Sequence, residues 1–299
     1  MKNNTRNRRF LIVACLFAVV FLAGCQSNVD SSGKTIAERI IYLTTPWSDM
    51  FDESIFSAIL VYPLAQCINY IGTWTNSAVL GVVITTLVYN VITMGLSIKS
   101  TVNTQKIQML QPELNKLQEK YQGRNDDNAR MQMAQEMQAL YNKYNVNPMS
   151  SLVTPFLTLP IMISMFYAAQ RAEVVVNGSF MGVSLQSTPL DAFKNIKVMW
   201  PLTVIYIIML IMQAISALLP QKLAEIKRKS QPGYKAYADN GSTNNQANTM
   251  MLSMIVLIGF LGIRWPTAMS VYWAISSLAN ILKTLFIQRR FIDNAKGRR

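Results

Sequence analysis

Histidine is absent from all 299 residues. That removes imidazole as general base, proton shuttle or metal ligand, and much hydrolase and metalloenzyme chemistry with it. Cysteine occurs only at Cys15, Cys25 and Cys67, too widely spaced for a disulfide framework or a paired-cysteine metal knuckle. Charge is scarce as well: Asp, Glu, Lys and Arg supply 14% of the chain, where a soluble domain carries about 25%. What is abundant is apolar, at 51% of residues with a mean hydropathy of +0.21. The remaining charge is lopsided, 28 basic residues against 15 acidic, for a net +13. In a hydrophobic chain such an excess points to anionic lipid and membrane topology before nucleic acid. The composition describes an integral membrane protein.

Residues 1–24 follow a signal-peptide plan. Lys2, Arg6, Arg8 and Arg9 form a basic start, and residues 10–21 an apolar stretch too short to span. Leu22-Ala23-Gly24-Cys25 then resembles the bacterial lipobox, in which the cysteine thiol is acylated with diacylglycerol and becomes the new N-terminus. Cys25 is therefore the expected lipidation site. Cys67 would be the other remaining thiol, an inert apolar filler. Residues 25–53 hold Asp30, Glu38, Asp49, Asp52 and Glu53 and read as an extracellular tether.

Residues 54–98 carry no charge, but a polar run over 69–77 divides them. The first part, 54–68, contains Pro63 and is short for a span of about 20 residues, so it reads as a helix lying in the interface. Residues 78–98 make the first span. Further apolar stretches at 149–170, 200–219, 249–263 and 267–287 bring the total to five, with Arg264-Trp265-Pro266 forcing a tight turn. Charge fixes the parity. With Cys25 outside, the inner segments 99–148, 220–248 and 288–299 hold seven, five and five Lys and Arg, against six outside. A sixth span would put the basic segments outside, against the positive-inside rule.

The 99–148 segment has helical periodicity. Ile107, Leu110, Leu114, Leu117 and Tyr121 recur at steps of three and four, and Met133, Met137, Leu140 and Tyr144 repeat the pattern. Between them lies Gly123-Arg124-Asn125-Asp126-Asp127, a break with an Asp available as N-cap. Two amphipathic helices joined by a turn predict a cytoplasmic hairpin whose seam includes Leu110, Leu114, Leu117, Met137 and Leu140. Residues 220–248, Lys-rich and then rich in Gln, Asn, Ser and Gly, read as a basic cytoplasmic loop, and 288–299 as a basic tail.

These features together resemble the YidC/Oxa/Alb family of membrane protein insertases. Three motifs carry the likeness. Leu110-Gln111-Pro112-Glu113-Leu114 with Leu117-Gln118-Glu119-Lys120-Tyr121 resembles the first hairpin helix. Val146-Asn147-Pro148-Met149, with Pro155 and Pro160 beyond it, resembles the entry into the second span. Pro266 followed by Val271-Tyr272-Trp273 resembles the start of the last. The resemblance covers about residues 46–292, and the lipobox resembles the Gram-positive members. It implies an all-α membrane protein of five transmembrane helices with a water-filled groove, an interfacial amphipathic helix and a cytoplasmic helical hairpin. It implies an insertase and chaperone in the bacterial cell membrane, multi-pass, with its lipid-anchored N-terminus outside. Nascent membrane proteins, the Sec translocon, the ribosome and membrane lipids are the implied partners. No cofactor is implied.

A hydrated groove needs polar faces on apolar helices, because each unmet peptide group in hydrocarbon costs several kcal/mol. Thr86, Asn90, Thr93 and Ser97 share one face of the first span. Thr203, Tyr206 and Gln213 make a similar stripe in the third, and Trp273, Ser277, Asn280 and Thr284 in the last. Small hydroxyl residues serve helix packing equally well, so groove and packing stand side by side for each Ser and Thr. Asn90 and Gln213 are costlier to bury and favour the cavity.

One departure stands out. Where the family places an Arg in the first span, this chain has Asn90, and where it has Pro, Gly95. Lys283, at a family Gln position, restores a charge or snorkels to the headgroups. The basic tail and the 222–229 cluster serve topology and anionic lipid, or a weak ribosome contact. Neither has the interleaved aromatics of a nucleic-acid surface, so no DNA partner is expected. No catalytic residue and no metal site is expected: the sequence holds no phosphate-binding loop, zinc motif or intramembrane carboxylate pair. A multi-spanning solute transporter is the alternative, though no internal repeat supports it.

Overall fold

The computed structural model describes residues 35–124, 126–148, 153–229, 252–253 and 255–293. Cys25 and the signal peptide lie outside the described residues, as do 230–251 and the end of the tail. The elements in order are α1 (Trp47–Glu53), a π turn (Ser57–Val61), α2 (Tyr62–Thr75), α3 (Ala78–Lys120), α4 (Asp127–Lys143), α5 (Val153–Arg171) and α6 (Glu173–Val176). Then come β1 (Ser179–Phe180), β2 (Val183–Ser184), α7 (Pro189–Lys194), α8 (Ile196–Lys229), α9 (Thr267–Ile287) and a π segment (Gln288–Asp293). Residues 255–262 are helical as well. Three helical stretches among the described residues are long and apolar enough to cross a membrane: Ala78–Gly95, Ile196–Lys227 and Thr267–Phe291.

The chain divides into two compact units. The first comprises residues up to Val88 with Thr158–Ile207 and Gly262–Trp273; the second comprises Tyr89–Leu157, Ile208–Leu261 and the chain from Ala274 onward.

In the first unit, the polar run 69–77 does not interrupt the helix as the sequence suggests. Residues 69–75 complete α2, and Asn69 is buried. The break falls at Asn76, whose φ of 49° is left-handed and whose N–H closes on the Gly72 and Thr73 carbonyls. Gly72 and Gly81 let the next segments approach: a Cβ on Gly72 would sit 2.4 Å from Val174 Cγ1, and one on Gly81 2.7 Å from the Ile68 carbonyl. Along the start of α3, buried Val82, Thr85 and Thr86 face inward, whereas exposed Leu80, Leu87 and Val88 are wholly apolar. A more apolar exterior than interior is the pattern of a helix solvated by lipid.

The 25–53 tether is also corrected, for its described part. Residues 35–53 are fastened down: Ile41, fully buried, donates its N–H to the Arg171 carbonyl at 2.7 Å and accepts from the Glu173 N–H at 3.2 Å. Among the described residues, a two-stranded hairpin, β1–β2, adds strand to a mostly helical fold. Its turn residues Met181 and Gly182 both have positive φ, at 50° and 82°. The α9 N-terminus is stitched to the segment between β2 and α7: Thr267 N–H donates to the Ser187 carbonyl and Ala268 N–H to that of Leu185.

In the second unit, α3 continues without a break to Lys120. The predicted division at residue 98 marks where charge begins, not where the helix ends. Asp126 caps α4 by accepting from the Ala129 N–H, as its position in the sequence suggested. Likewise, α8 remains helical to Lys229 and the π segment extends α9 to Asp293, so the loop expected from 220 and the tail expected from 288 both begin later. Cys67 is exposed rather than an interior filler.

Candidate functional site

The polar residues proposed for the groove divide by what they bond. In the second unit, Asn90 Nδ2 donates to Ser276 Oγ at 3.3 Å, joining α3 to α9. Ser277 Oγ donates to Gln213 Oε1 at 2.5 Å, joining α8 to α9. Asn90, Gln213 and Asn280 are half-buried, and Ser277 is buried. Three apolar helices are thus linked by neutral amides and hydroxyls, with α9 as the shared partner. The sequence stripe picked out Asn90, Gln213 and Ser277 but missed Ser276, which lies one residue off the stripe.

The threonines behave otherwise. Thr86 Oγ1 donates to the Val82 carbonyl at 2.6 Å, and Thr93 Oγ1 to that of Tyr89 at 3.0 Å. Both hydroxyls are met within their own helix. The side chain of Ser97 lies outside the described residues. In the first unit, Tyr206 is buried with its ring edge-on to Phe193 at 6.0 Å. Trp273 packs on Trp265 at 5.1 Å, and Trp265 on Phe166 at 5.0 Å. These two aromatics make packing contacts, whatever else they do.

Some buried polar atoms have no hydrogen-bond partner: Thr203 and Thr85 Oγ1, Gln108 Oε1 and both amide atoms of Gln105. An unmet buried polar group costs about 1–3 kcal/mol. Gln105, on the part of α3 that belongs to the second unit, is 4% exposed. Its amide offers a donor and an acceptor to whatever enters beside it.

Apolar side chains of the two hairpin helices pack together. Leu110, Leu114 and Val146 are buried together, with Ile107, Met137, Leu140 and Tyr141 packed against them. Leu117 is half-buried and turns instead to a shallow groove of about 510 Å³, with Ala139 and Leu140 as its apolar lining and Lys116, Lys120, Lys143, Glu113 and Glu136 at its edges. Lys120 Nζ bonds both carboxylate oxygens of Glu136, at 2.6 and 2.8 Å, and Tyr121 Oη donates to the same carboxylate at 2.9 Å. The Lys120 bond, then the Tyr121 bond, hold the Glu136 carboxyl below its ordinary pKa, and Glu136 in turn raises the Lys120 ammonium. Tyr144 Oη donates to Glu113 Oε1 at 2.6 Å, which raises the phenol's pKa.

Sequence reasoning missed a heavily bonded side chain of the first unit. Arg171, treated above as one more loop charge, is 2% exposed at the end of α5. Its Nη1 and Nη2 donate to Glu53 Oε1 and Oε2 at 3.0 and 2.8 Å, and its Nε to the Arg39 carbonyl at 2.7 Å. Arg39 Nη1 also reaches Glu53 Oε1 at 2.8 Å. Asn69 completes the node, donating from Nδ2 to the Ile41 carbonyl at 2.6 Å and accepting at Oδ1 from the Val174 N–H. Its one available signal was a charge at the end of an apolar run.

Comparison with known proteins adds the family. A family model described as 60Kd inner membrane protein matches residues 70–295. The chain is 30% identical over 245 residues to membrane protein insertase YidC 2 of Bacillus anthracis, covering 81% of this chain and 85% of that one. It is 26% identical over 285 residues to membrane protein insertase MisCA of Bacillus subtilis, covering 95% and 92%. Similarity to membrane protein insertase YidC 1 of Streptococcus pyogenes runs at 28% over 232 residues, covering 78% and 74%.

Proposed function

The chain belongs to the 60Kd inner membrane protein family, that of the YidC/Oxa/Alb insertases, and on that premise we propose that it guides hydrophobic segments of nascent proteins from the cytoplasm into the bilayer. The observation that carries this reading is the pair of hydrogen bonds, Asn90 to Ser276 and Gln213 to Ser277, that joins three apolar helices. Polar groups cost free energy in hydrocarbon. Neutral amides placed between helices give a passing segment's polar flanks and peptide groups an alternative to lipid. Lowering that transfer cost is enough; no covalent bond need break, and no enzyme chemistry is assigned.

The finer reading completes the picture. Five spans cross the cell membrane, the acylated Cys25 anchors the N-terminus outside, and the hairpin and basic tail face the cytoplasm. The groove works alone or beside the Sec translocon, with the tail touching the ribosome weakly. Buried Gln105, with its unmet amide, supports a polar route on the α3 side. The test is insertion of a short single-span client into proteoliposomes holding the purified chain, with a fluorescent-solute uptake assay run in parallel. Protease-protected client without solute uptake is the expected result. Solute uptake without client insertion would replace the insertase by a transporter.

A further inference from the structure

At the end of α9 the helix changes register. The π segment Gln288–Asp293 follows Ile287 directly. In an α-helix, residues five apart point about 140° away from one another, but i to i+5 bonding brings them near one face. Phe286 and Phe291 accordingly meet edge-on with ring centroids 6.3 Å apart. Leu282, Leu285, Phe286, Arg289 and Arg290, at helical steps of three and four, line one open pocket of about 460 Å³ beside this pair.

The contents of this pocket are unlike those of the interhelical polar pairs. Leu282, Phe286 and Phe291 are exposed large hydrophobics, and Arg289 and Arg290 are exposed beside them. Neither guanidinium has a salt bridge to a described carboxylate. The apolar stretch long enough to cross a membrane closes at Phe291, which sets the arginines where hydrocarbon gives way to headgroups. A strip that is apolar toward the bilayer and doubly cationic at its rim complements one kind of occupant, an amphiphile with an acyl chain and an anionic head.

We propose that this pocket binds an anionic phospholipid of the adjoining leaflet, its phosphate held by Arg289 and Arg290 and one acyl chain lying along Leu282 and Phe286. A zwitterionic lipid offers the same chain and phosphate, but its ammonium is repelled by the guanidinium pair. The proposal rests on α9 crossing the membrane and not on the insertase reading.

The full chain, purified in a mild detergent, is examined by native mass spectrometry with phosphatidylglycerol, phosphatidylcholine or inorganic phosphate. The expected result is about tenfold preference for phosphatidylglycerol, for two cations beside one anionic head. Arg289→Gln with Arg290→Gln should abolish the preference, whereas Lys222→Gln with Lys227→Gln at the end of α8 should keep it. A photoactivatable phosphatidylglycerol on the unmodified chain should label residues 282–291, a readout independent of whether the variants fold. Equal retention of both lipids, labelling spread elsewhere, or equal loss in the α8 variant would overturn the proposal. So would equal occupancy by inorganic phosphate, which would make this a free-anion site. If the Arg289→Gln, Arg290→Gln variant keeps its lipid preference but loses ribosome co-sedimentation, the pair is an RNA contact and the lipid site is wrong.

Discussion

In the first unit, segments 118 residues apart in sequence are joined by a buried guanidinium and by main-chain hydrogen bonds. In the second, hydrogen bonds between small neutral side chains, Asn90 to Ser276 and Ser277 to Gln213, link α3, α8 and α9. The contrast is one of replaceability. A main-chain bond or a forked Arg–Glu pair has no easy substitute once broken, because the freed groups stay buried. A single amide–hydroxyl bond nets only about 0.5–1.5 kcal/mol, so a passing peptide group or water can take over either partner at little cost. The links of the first unit have no ready substitute, and those of the second unit do.

The sharpest way to break that contrast is at Arg171. Arg171→Met leaves the Glu53 carboxylate, only 12% exposed, without its fork. Removing one partner of a buried pair costs about 3–5 kcal/mol. Thermal unfolding of the purified protein should show that loss, and Arg171→Lys should recover little, since an ammonium cannot hold both carboxylate oxygens and the Arg39 carbonyl in one plane. Removing the buried charge as well, in Arg171→Met with Glu53→Gln, should regain part of it. A melting curve unchanged by Arg171→Met would mean the node fastens nothing.

Next in size is the hairpin seam. Leu114→Asp with Leu140→Asp puts two carboxylates into the cluster around Leu110 and Val146, and should cost at least the about 2–5 kcal/mol of a large-to-small core change. Glu113→Gln keeps an acceptor for the Tyr144 phenol and should stay within about 0.5 kcal/mol, as surface changes do. Limited proteolysis after the 121–123 turn and complementation of a depletion strain read the two effects. Equal damage from both variants would assign the hairpin's role to its charge pattern and not to its seam.

Asn90 tests the second unit's exchangeable bonds. Asn90→Leu loses the bond to Ser276 and a polar surface, and client insertion should fall about fivefold, the equivalent of one net hydrogen bond. Ser276→Ala should do less, because the amide remains. Asn90→Arg should be tolerated and should favour clients with acidic N-terminal tails. Ser276 and Lys283 are seven residues apart on α9, about 10 Å along the axis. Like charges at that distance repel weakly if water fills the space and strongly if it does not. Asn90→Arg gaining activity only when Lys283→Gln accompanies it would therefore report a dry site. Full activity of Asn90→Leu would return the residue to helix packing.

What the sequence discloses here, and what it hides, has a physical pattern. Apolar runs and 3.6-residue periodicity are local, and they located the long helices and most of the Leu110–Leu114–Leu140 seam. Helix ends were less legible, because hydropathy records where lipid stops and says nothing of where hydrogen bonding stops. So α3 outruns the charge boundary at Lys99 by some twenty residues, reaching Lys120. Polar stripes told which face Asn90 and Thr93 occupy but not their partners, and Thr93 turned to its own helix. Arg171 was illegible for the plainest reason. Its partner Glu53 lies on a segment that looked like a tether, and nothing local marks a pairing across 118 residues.

The smallest expected effect is the pH response of the hairpin, where the only strongly paired charges of the second unit's described hairpin face water. Glu136 has its pKa lowered from 4.5, chiefly by the Lys120 hydrogen bond, so its contribution is complete above that value and lost as pH falls through the lower folded one. Lys120 has its pKa raised from 10.5 by the same bond, so its contribution is complete below that value and lost as pH rises through the higher folded one. Tyr144, raised from 10.0 first by its bond to Glu113, adds to the alkaline limb: the phenol must stay protonated to donate. The hairpin should therefore open at both extremes and stay flat through neutrality. Lys116 and Lys143 also face this groove. Both charged limbs should shrink in high salt, where screening cuts off exposed pairs within about 3 Å at 1 M. A fluorophore pair on α3 and α4 of the hairpin reads the opening. In Lys120→Met the acid limb should shrink to what the Tyr121 bond sustains, and the alkaline limb should rest on Tyr144 alone. Opening that steepened between about pH 6 and 8, outside every limb derived from these three shifts, would require a titrating group that neither helix of the hairpin supplies.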